Sequence, residues 1–241
     1  MKKNSLNCVA FVFARGGSKG VLRKNMQMLG GTPLIGHSIL TAKLCSSIKR
    51  VVVSTDDDEI ADTARHYGAD VPFMRPFELA KDDSSEYETW KHAIKSYEQK
   101  YKEKIDIFVS LPPTSPLRSV SDVEICISEY MKNEADFVIT VTESSRSPYF
   151  NMVKEDNLGF SILVNPPLEG QRYIRRQDVP RVYDMTTVAY VSSSDFILNS
   201  GSIFSGRVKS VVIPDDRAID IDTKLDLEIA EFLYNNKVLA S

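Results

Sequence analysis

The chain is poor in the residues that staple or metallate small proteins. Only three of its 241 residues are cysteines, Cys8, Cys45 and Cys126, and no CxxC spacing occurs. An odd, scattered set excludes a disulfide framework and a cysteine zinc site, and it fits a reducing compartment. The three histidines, His37, His66 and His92, fall on separate helical segments without metal or triad spacing. They and the single tryptophan, Trp90, are expected in packing or surface roles. There is no cationic excess: 30 basic residues face 33 acidic ones, a net charge of −3. That removes the electrostatic footprint of DNA or RNA binding and leaves room for a small anionic ligand held by a few local cations. No stretch approaches the roughly 20 apolar residues of a membrane span. Lys2 and Lys3 before the apolar run 8–14 imitate a signal peptide. The run is short and leads into Arg15 without a small-residue cleavage site, so a first buried strand is expected, in a cytoplasmic protein.

With 42% hydrophobic and 26% charged residues, the chain is an ordinary globular one. Short β-branched runs at Cys8–Phe13, Arg50–Ser54, Asp106–Leu111 and Asp136–Val141 read as strands buried on both faces. Helical spacing marks Leu34–Ser47, Asp57–Tyr67, Ser85–Tyr101 and Ser121–Met131 between them; Ile60, Ala61, Ala64 and Tyr67 form one apolar stripe. The alternation predicts an α/β fold, a mostly parallel Rossmann-like sheet with ligands beyond the carboxyl ends of its strands. One domain over 1–241 is expected, interrupted at about 141–182 by an excursion. That excursion holds a strand and turn at Asn151–Gly159, then Pro166-Pro167 and a charged stretch. Strands at Thr187–Ser192 and Val208–Ile213 follow, then a helix Lys224–Tyr234 capped by Thr223.

Five clusters carry chemistry. Arg15-Gly16-Gly17-Ser18-Lys19-Gly20, with Lys24-Asn25, follows the first strand. Glycines let backbone N–H groups approach a ligand, and Arg15, Lys19 and Lys24 supply charge, a combination suited to a polyphosphate. It is neither GxxxxGK[ST] nor GxGxxG. In Ile219-Asp220-Ile221-Asp222-Thr223, the two carboxylates share one side if the backbone is extended, as a Mg²⁺ site needs; the pair reads equally as a solvated Asp220 beside an Asp222 that helps cap the last helix. In Pro112-Pro113-Thr114-Ser115-Pro116-Leu117-Arg118, the prolines stiffen a loop offering Thr114, Ser115 and Arg118 as polar contacts. It reads equally as a connector in which Arg118 fixes local carbonyls. Arg75-Pro76 with Ser84-Ser85 either lines a base pocket or caps a helix. Arg172, Arg175, Arg176 and Arg181, with Tyr173 and Tyr183, suit an acidic substrate, a solvated face or a subunit contact.

From Val9 to the last helix these motifs, with Ser54-Thr55-Asp56, occur in the order found in one family. The chain resembles the cytidylyltransferases that make CMP-activated nonulosonic acids: the CMP-N-acylneuraminate synthetases and their legionaminic and pseudaminic acid relatives. The resemblance implies a homodimer, with the excursion as an arm reaching the neighbouring subunit's sugar pocket. It implies Mg²⁺ on Asp220 and Asp222, and CTP held by Arg15, Gly16, Gly17, Ser18, Lys19 and Asn25. Arg75, Ser84 and Ser85 would lie near the base or ribose. Lys19, Arg15 and Asp222 are the catalytic candidates. Pro113, Thr114, Ser115, Arg118, Arg176 and Tyr183 are the candidates for the sugar acid, Arg176 first for its carboxylate. Three departures from the family pattern are Leu22 for proline, Pro112 for glutamine, and Thr186-Thr187 for Asn-Gly; the last two are sugar-side. The alternatives are an eight-carbon Kdo-type cytidylyltransferase, which usually has Arg-Leu-Pro where Lys19-Gly20-Val21 stands, and a non-catalytic nucleotide-binding protein.

Overall fold

Successive residues of the first strand point to opposite faces, and both faces are covered. The structure, a computed structural model, describes residues 6–18, 20–167, 173, 175 and 178–240. Strand β1 (Cys8–Phe13) sends Cys8, Ala10 and Val12 into one core cluster and Val9 and Phe11 into another. The first cluster is closed by α1 (Leu34–Leu44), α2 (Asp58–His66) and α4 (Val120–Met131), through residues such as Ile39, Ile60 and Val123. The second is closed by α3 (Glu86–Tyr101) and α5 (Ser194–Asn199), through Trp90, Tyr97 and Ile197. Burial on both sides is why the strands read as unbroken apolar runs. Trp90 is 1% exposed, among Phe108, Phe137 and Tyr190, as its packing role required.

The remaining sheet strands are β4 (Arg50–Ser54), β5 (Ile107–Ser110), β6 (Phe137–Glu143), β9 (Tyr183–Ser192) and β10 (Val208–Val212). They lie in the order β10-β6-β9-β5-β1-β4. All pairings are parallel except those of β9, which runs antiparallel between β5 and β6. The cause is topological: the chain leaves the sheet at the end of β6 and re-enters beside it at the same end, so the returning strand must run backwards. Residue pairing between β6 and β9 slips between Val138/Val191 and Thr140/Thr186, a bulge on β9 that contains Thr187.

The carboxyl ends of β1, β4 and β5 share one edge of the sheet. A two-residue hairpin, β2 (Met28–Leu29) and β3 (Thr32–Pro33), closes through Gly30 and Gly31, both at positive φ (55° and 81°). Gly30 touches the ring of Tyr234 on α6 (Lys224–Ala240) so closely that a Cβ would overlap it. A small third cluster, Leu29, Leu34, Leu117, Ile221 and Ala230, joins this hairpin, a loop after β5 and α6. Among the described residues of the excursion lie β7 (Val153–Glu155) and β8 (Ser161–Leu163), joined by the expected turn at Asp156-Asn157. Helix α5, the β2–β3 hairpin and strand β8 are elements the sequence pattern did not predict.

Candidate active site

The glycine loop is shaped by its own polar groups. Ala14 N–H donates to Ser54 O at 3.1 Å, continuing the β1–β4 ladder one step past Phe13. The chain then turns, held by Gly16 N–H to Asp56 Oδ1 (3.0 Å), Asn25 Nδ2 to Arg15 O (3.0 Å) and Lys24 N–H to Ser18 Oγ (3.0 Å). Asn25 and Ser18 therefore fold the loop. Two glycines are demanded by close approach: a Cβ on Gly16 would press on the Asp57 carboxylate, and one on Gly20 would overlap the carbonyl oxygen of Asp222. Gly17 faces open space. Lys19 lies outside the described residues.

Gly20 thus brings the two ends of the chain together. Around Asp222 the backbone alternates: Ile221 is fully buried while Asp220 and Asp222 both line one cavity. Ile221 N–H donates to Thr114 O at 2.8 Å, and Lys24 Nζ reaches Asp222 Oδ1 at 2.9 Å. Thr223 caps α6 as expected: its hydroxyl accepts from Asp226 N–H, while the Asp226 carboxylate accepts from Thr223 N–H at 2.7 Å. Upstream, Arg217 grips the buried Asp122 through Nε and Nη2 at 2.9 and 3.1 Å, fixing the approach to the aspartate pair. Burial opposes charge on Asp122, but Arg217 and Ser119 outweigh it and hold the carboxyl below its ordinary range.

The aspartate pair fits a hard cation. Asp220 Oδ1 is buried and, among the described residues, has no hydrogen-bond partner. A buried acceptor of that kind calls for a positive charge. No group of three or more His, Cys, Asp or Glu side chains gathers into a metal site among the described residues. Two carboxylates completed by substrate phosphates and water are what Mg²⁺ commonly uses.

The cavity holds about 500 Å³. Arg15, Lys24 and Arg75 line it with positive charge, and Phe13, Pro112 and Pro113 with apolar surface. Arg15 is half-turned away, its Nη1 on Asp82 at 2.8 Å. Arg75 is fixed by two bonds to Ser54, from Nε to Oγ at 3.2 Å and from Nη2 to the carbonyl at 2.5 Å. Burial pushes its guanidinium down to about 10, still a cation at neutral pH. Glu86 was not anticipated. It opens α3 and lines the cavity, where desolvation raises its carboxyl pKa. Its position directly after the Ser85 cap was the only signal available for it.

Several expected contacts are placed elsewhere. Ser84 Oγ is bonded to Glu78 O at 2.8 Å and Ser85 caps α3 through Glu88 N–H; neither lines the cavity. In this structure both hydroxyls serve the helix-capping loop, the second of the two readings the sequence allowed. Thr114 does line the cavity, and its hydroxyl meets that of Thr187 at 3.2 Å. Ser115 is fully buried, with its Oγ 2.7 Å from Thr187 Oγ1. Arg118 is drawn beneath the loop, Nη1 on Ser38 Oγ at 2.7 Å and Nη2 on the carbonyls of Pro112 and Thr187. These bonds are the ones the connector reading expected. Tyr183 lines a separate cavity of about 400 Å³ at the stem of the excursion, with Arg146 and Arg181. Arg175 is paired with Asp178 at 3.2 Å. Arg172 and Arg176 fall outside the described residues. His37 is bonded to Leu29 O at 2.8 Å and stacks edge-on with Tyr234; His66 and His92 lie against Tyr67 and Phe73.

Residues 9–240 match the model of a family described as cytidylyltransferase. The chain is similar to the CMP-N,N'-diacetyllegionaminic acid synthase of Campylobacter jejuni, with 34% identity over 229 residues and 95% of each chain covered. It is also similar to the post-translational flagellin modification protein B of Campylobacter coli, with 33% identity over 228 residues and 95% of each covered. Among solved structures it shares the fold of a CMP:2-keto-3-deoxy-manno-octonic acid synthetase complexed with CTP. That likeness has a TM-score of 0.71 at 17% identity, over 96% of this chain and 99% of the other.

Proposed function

The chain belongs to the cytidylyltransferase family, and on that premise we propose that it transfers CMP from CTP to a nonulosonic acid. The anomeric hydroxyl oxygen attacks the α-phosphorus, the bond to the β-phosphate's bridging oxygen breaks, and pyrophosphate leaves. The observation that carries this reading is the convergence of the glycine loop and the aspartate pair on one cavity, with Gly20 against Asp222 O and Lys24 on the Asp222 carboxylate. Little covalent chemistry falls to the protein, so positioning and charge neutralisation dominate. Arg15 and Lys24, which line the cavity, are assigned to the triphosphate, and Lys19 is assigned there from the sequence motif alone. Arg75 and Glu86 flank the nucleoside side. Asp222, 71% exposed at its side chain, is the candidate to take the hydroxyl proton.

Asp220 and Asp222 are the residues that would hold Mg²⁺. Bound there, the ion would neutralise phosphate charge and polarise the α-phosphate. The excursion is proposed as a dimer arm. Its hairpin exposes Val153, Leu158 and Phe160 at 62%, 81% and 67%, an apolar surface that a second copy would cover. Three buried free thiols suit a cytoplasmic location.

The test is pyrophosphate release from CTP with Mg²⁺, screened against N-acetylneuraminate, legionaminate, pseudaminate, Kdn and Kdo. One nine-carbon acid is expected to win clearly, and Asp222→Asn to lower turnover by about 100-fold or more with the fold intact. Preference for Kdo overturns the nonulosonate assignment. CTP binding without turnover on any acid overturns the enzyme.

A further inference from the structure

Among the described residues, three side chains bring positive charge to the cavity: Arg15, Lys24 and Arg75. Each is already engaged, in a different way. Arg75 is bonded to neutral groups of Ser54. Lys24 stands on Asp222, a carboxylate that itself lines the cavity and has a task in the proposed reaction. Arg15 stands on Asp82, with Nη1 2.8 Å from Oδ1. Asp82 does not line the cavity, and nothing in the reaction as described uses it. A cation suited to phosphate is thus held by a carboxylate of the protein's own.

The two partners differ in freedom. Asp82 sits in a segment folded on itself: Leu79 N–H donates to Pro76 O at 2.9 Å, Ala80 N–H to Phe77 O at 3.0 Å, Ser84 N–H to Lys81 O at 3.3 Å, and Ser84 Oγ to Glu78 O at 2.8 Å. Its two ends are anchored as well, by Arg75 N–H on Thr55 O at 2.7 Å and by Ser85 capping α3. Arg15 is fixed through its backbone, where its carbonyl accepts from Asn25 Nδ2 and the next N–H donates to Asp56. Its long side chain can change rotamer without moving that backbone. In this pair the arginine swings and the carboxylate stays.

We infer that Asp82 is a resident counter-ion of Arg15, a carboxylate that a phosphate of CTP displaces when the nucleotide enters. The side chains are 32% and 42% exposed, and ion pairs so wet are weak. A phosphate oxygen meeting the same guanidinium inside the cavity makes a stronger, charge-assisted contact, so the exchange runs toward the ligand. Breaking the pair still subtracts from binding. Asp82 therefore sets CTP affinity without touching CTP, and it holds Arg15 in one place while the cavity is empty. The identity of the displacing anion rests on the cytidylyltransferase reading; the ion pair itself does not.

The experiment is calorimetric titration of the full chain with CTP and Mg²⁺, without any sugar acid. Asp82→Asn is expected to tighten CTP binding about 5-fold, the worth of one half-exposed ion pair. In an Arg15→Met background the same substitution should change Kd by less than about 1.5-fold, because the partner is gone. Asp83→Asn removes an equal charge one position along and should also leave Kd within about 1.5-fold, since exposed charges not in contact are screened by salt. If Asp82 instead aims Arg15 at the phosphates, Asp82→Asn weakens binding, and that sign overturns the inference. An unchanged Kd, or equal tightening by Asp83→Asn, overturns it too. Should Arg15→Met bind too weakly to titrate, the comparison with Asp83→Asn decides. Failure of the unsubstituted chain to bind CTP overturns both this inference and the proposed function; CTP binding that ignores Asp82 overturns this inference alone.

Discussion

The cavity end of the sheet and the excursion between β6 and β9 are built on opposite plans. At the cavity, distant segments are tied through atoms that leave no slack: Gly20 against Asp222 O, Ile221 N–H on Thr114 O, and Arg118 on two carbonyls. The excursion has two strands of three residues each, with Val153 to Glu155 fully on the surface. A two-stranded hairpin of that size is marginal by itself in water. It is held by local devices: Asp156 Oδ1 accepts from the N–H groups of Leu158 and Phe160, both at 2.9 Å, and Gly159 takes a φ of 84°. One region is fixed by long-range contacts and suits chemistry that needs geometry. The other is fixed by short-range contacts and presents apolar surface, as a docking element does.

The contrast can be broken most sharply at Gly20. Gly20→Ala should lower kcat/KM for CTP by about 100-fold or more, since displacing the Asp222 backbone by about 1 Å is enough for such a loss. Circular dichroism should remain native. A near-normal rate would mean that the two ends of the chain need not touch.

Next in size is Arg217→Met, which strands the buried Asp122 carboxylate. The expected loss is about 3 kcal/mol, or about 8 °C in melting temperature. The pH dependence follows from the sign. Asp122's folded pKa lies below its unfolded one, so the group contributes stability above the unfolded value, near pH 4, that is lost as pH falls through the folded value. Arg217→Met should flatten this acid limb. An unaltered limb would show that Asp122 is not held charged by Arg217.

The smallest effect on stability is expected in the excursion. Leu158→Asp with Phe160→Asp should move the melting temperature by no more than about 1 °C at monomer level, because exposed side chains away from caps and cores contribute little. Sedimentation should show a loss of dimer, and KM for the sugar acid should rise more than KM for CTP. A large drop in stability accompanied by an unchanged oligomeric state would reverse the roles of the two regions.

Much of this was legible in residues whose physics is local. Buried β-branched runs gave the strands, and Thr223 announced its helix. The glycine loop and aspartate pair were readable because few other arrangements need those residue types together. What escaped depended on distant neighbours. Ser84 and Ser85 carry the same hydroxyls whether they meet a nucleotide or a helix end, and only the fold shows Ser84 on Glu78 O. Glu86 looked like any first-turn acid until the cavity was seen around it. The antiparallel course of β9 follows from where the chain re-enters the sheet, which no periodicity records.

That course has a thermodynamic consequence. β6 and β9 stay hydrogen-bonded up to Glu143 opposite Tyr183, so the excursion is closed at its root before it departs. Once a loop is closed in this way, lengthening or exchanging it costs little, about 0.6 kcal/mol per doubling of length. The segment can thus be lengthened or replaced at little entropic cost, without disturbing the strand pairing at its root.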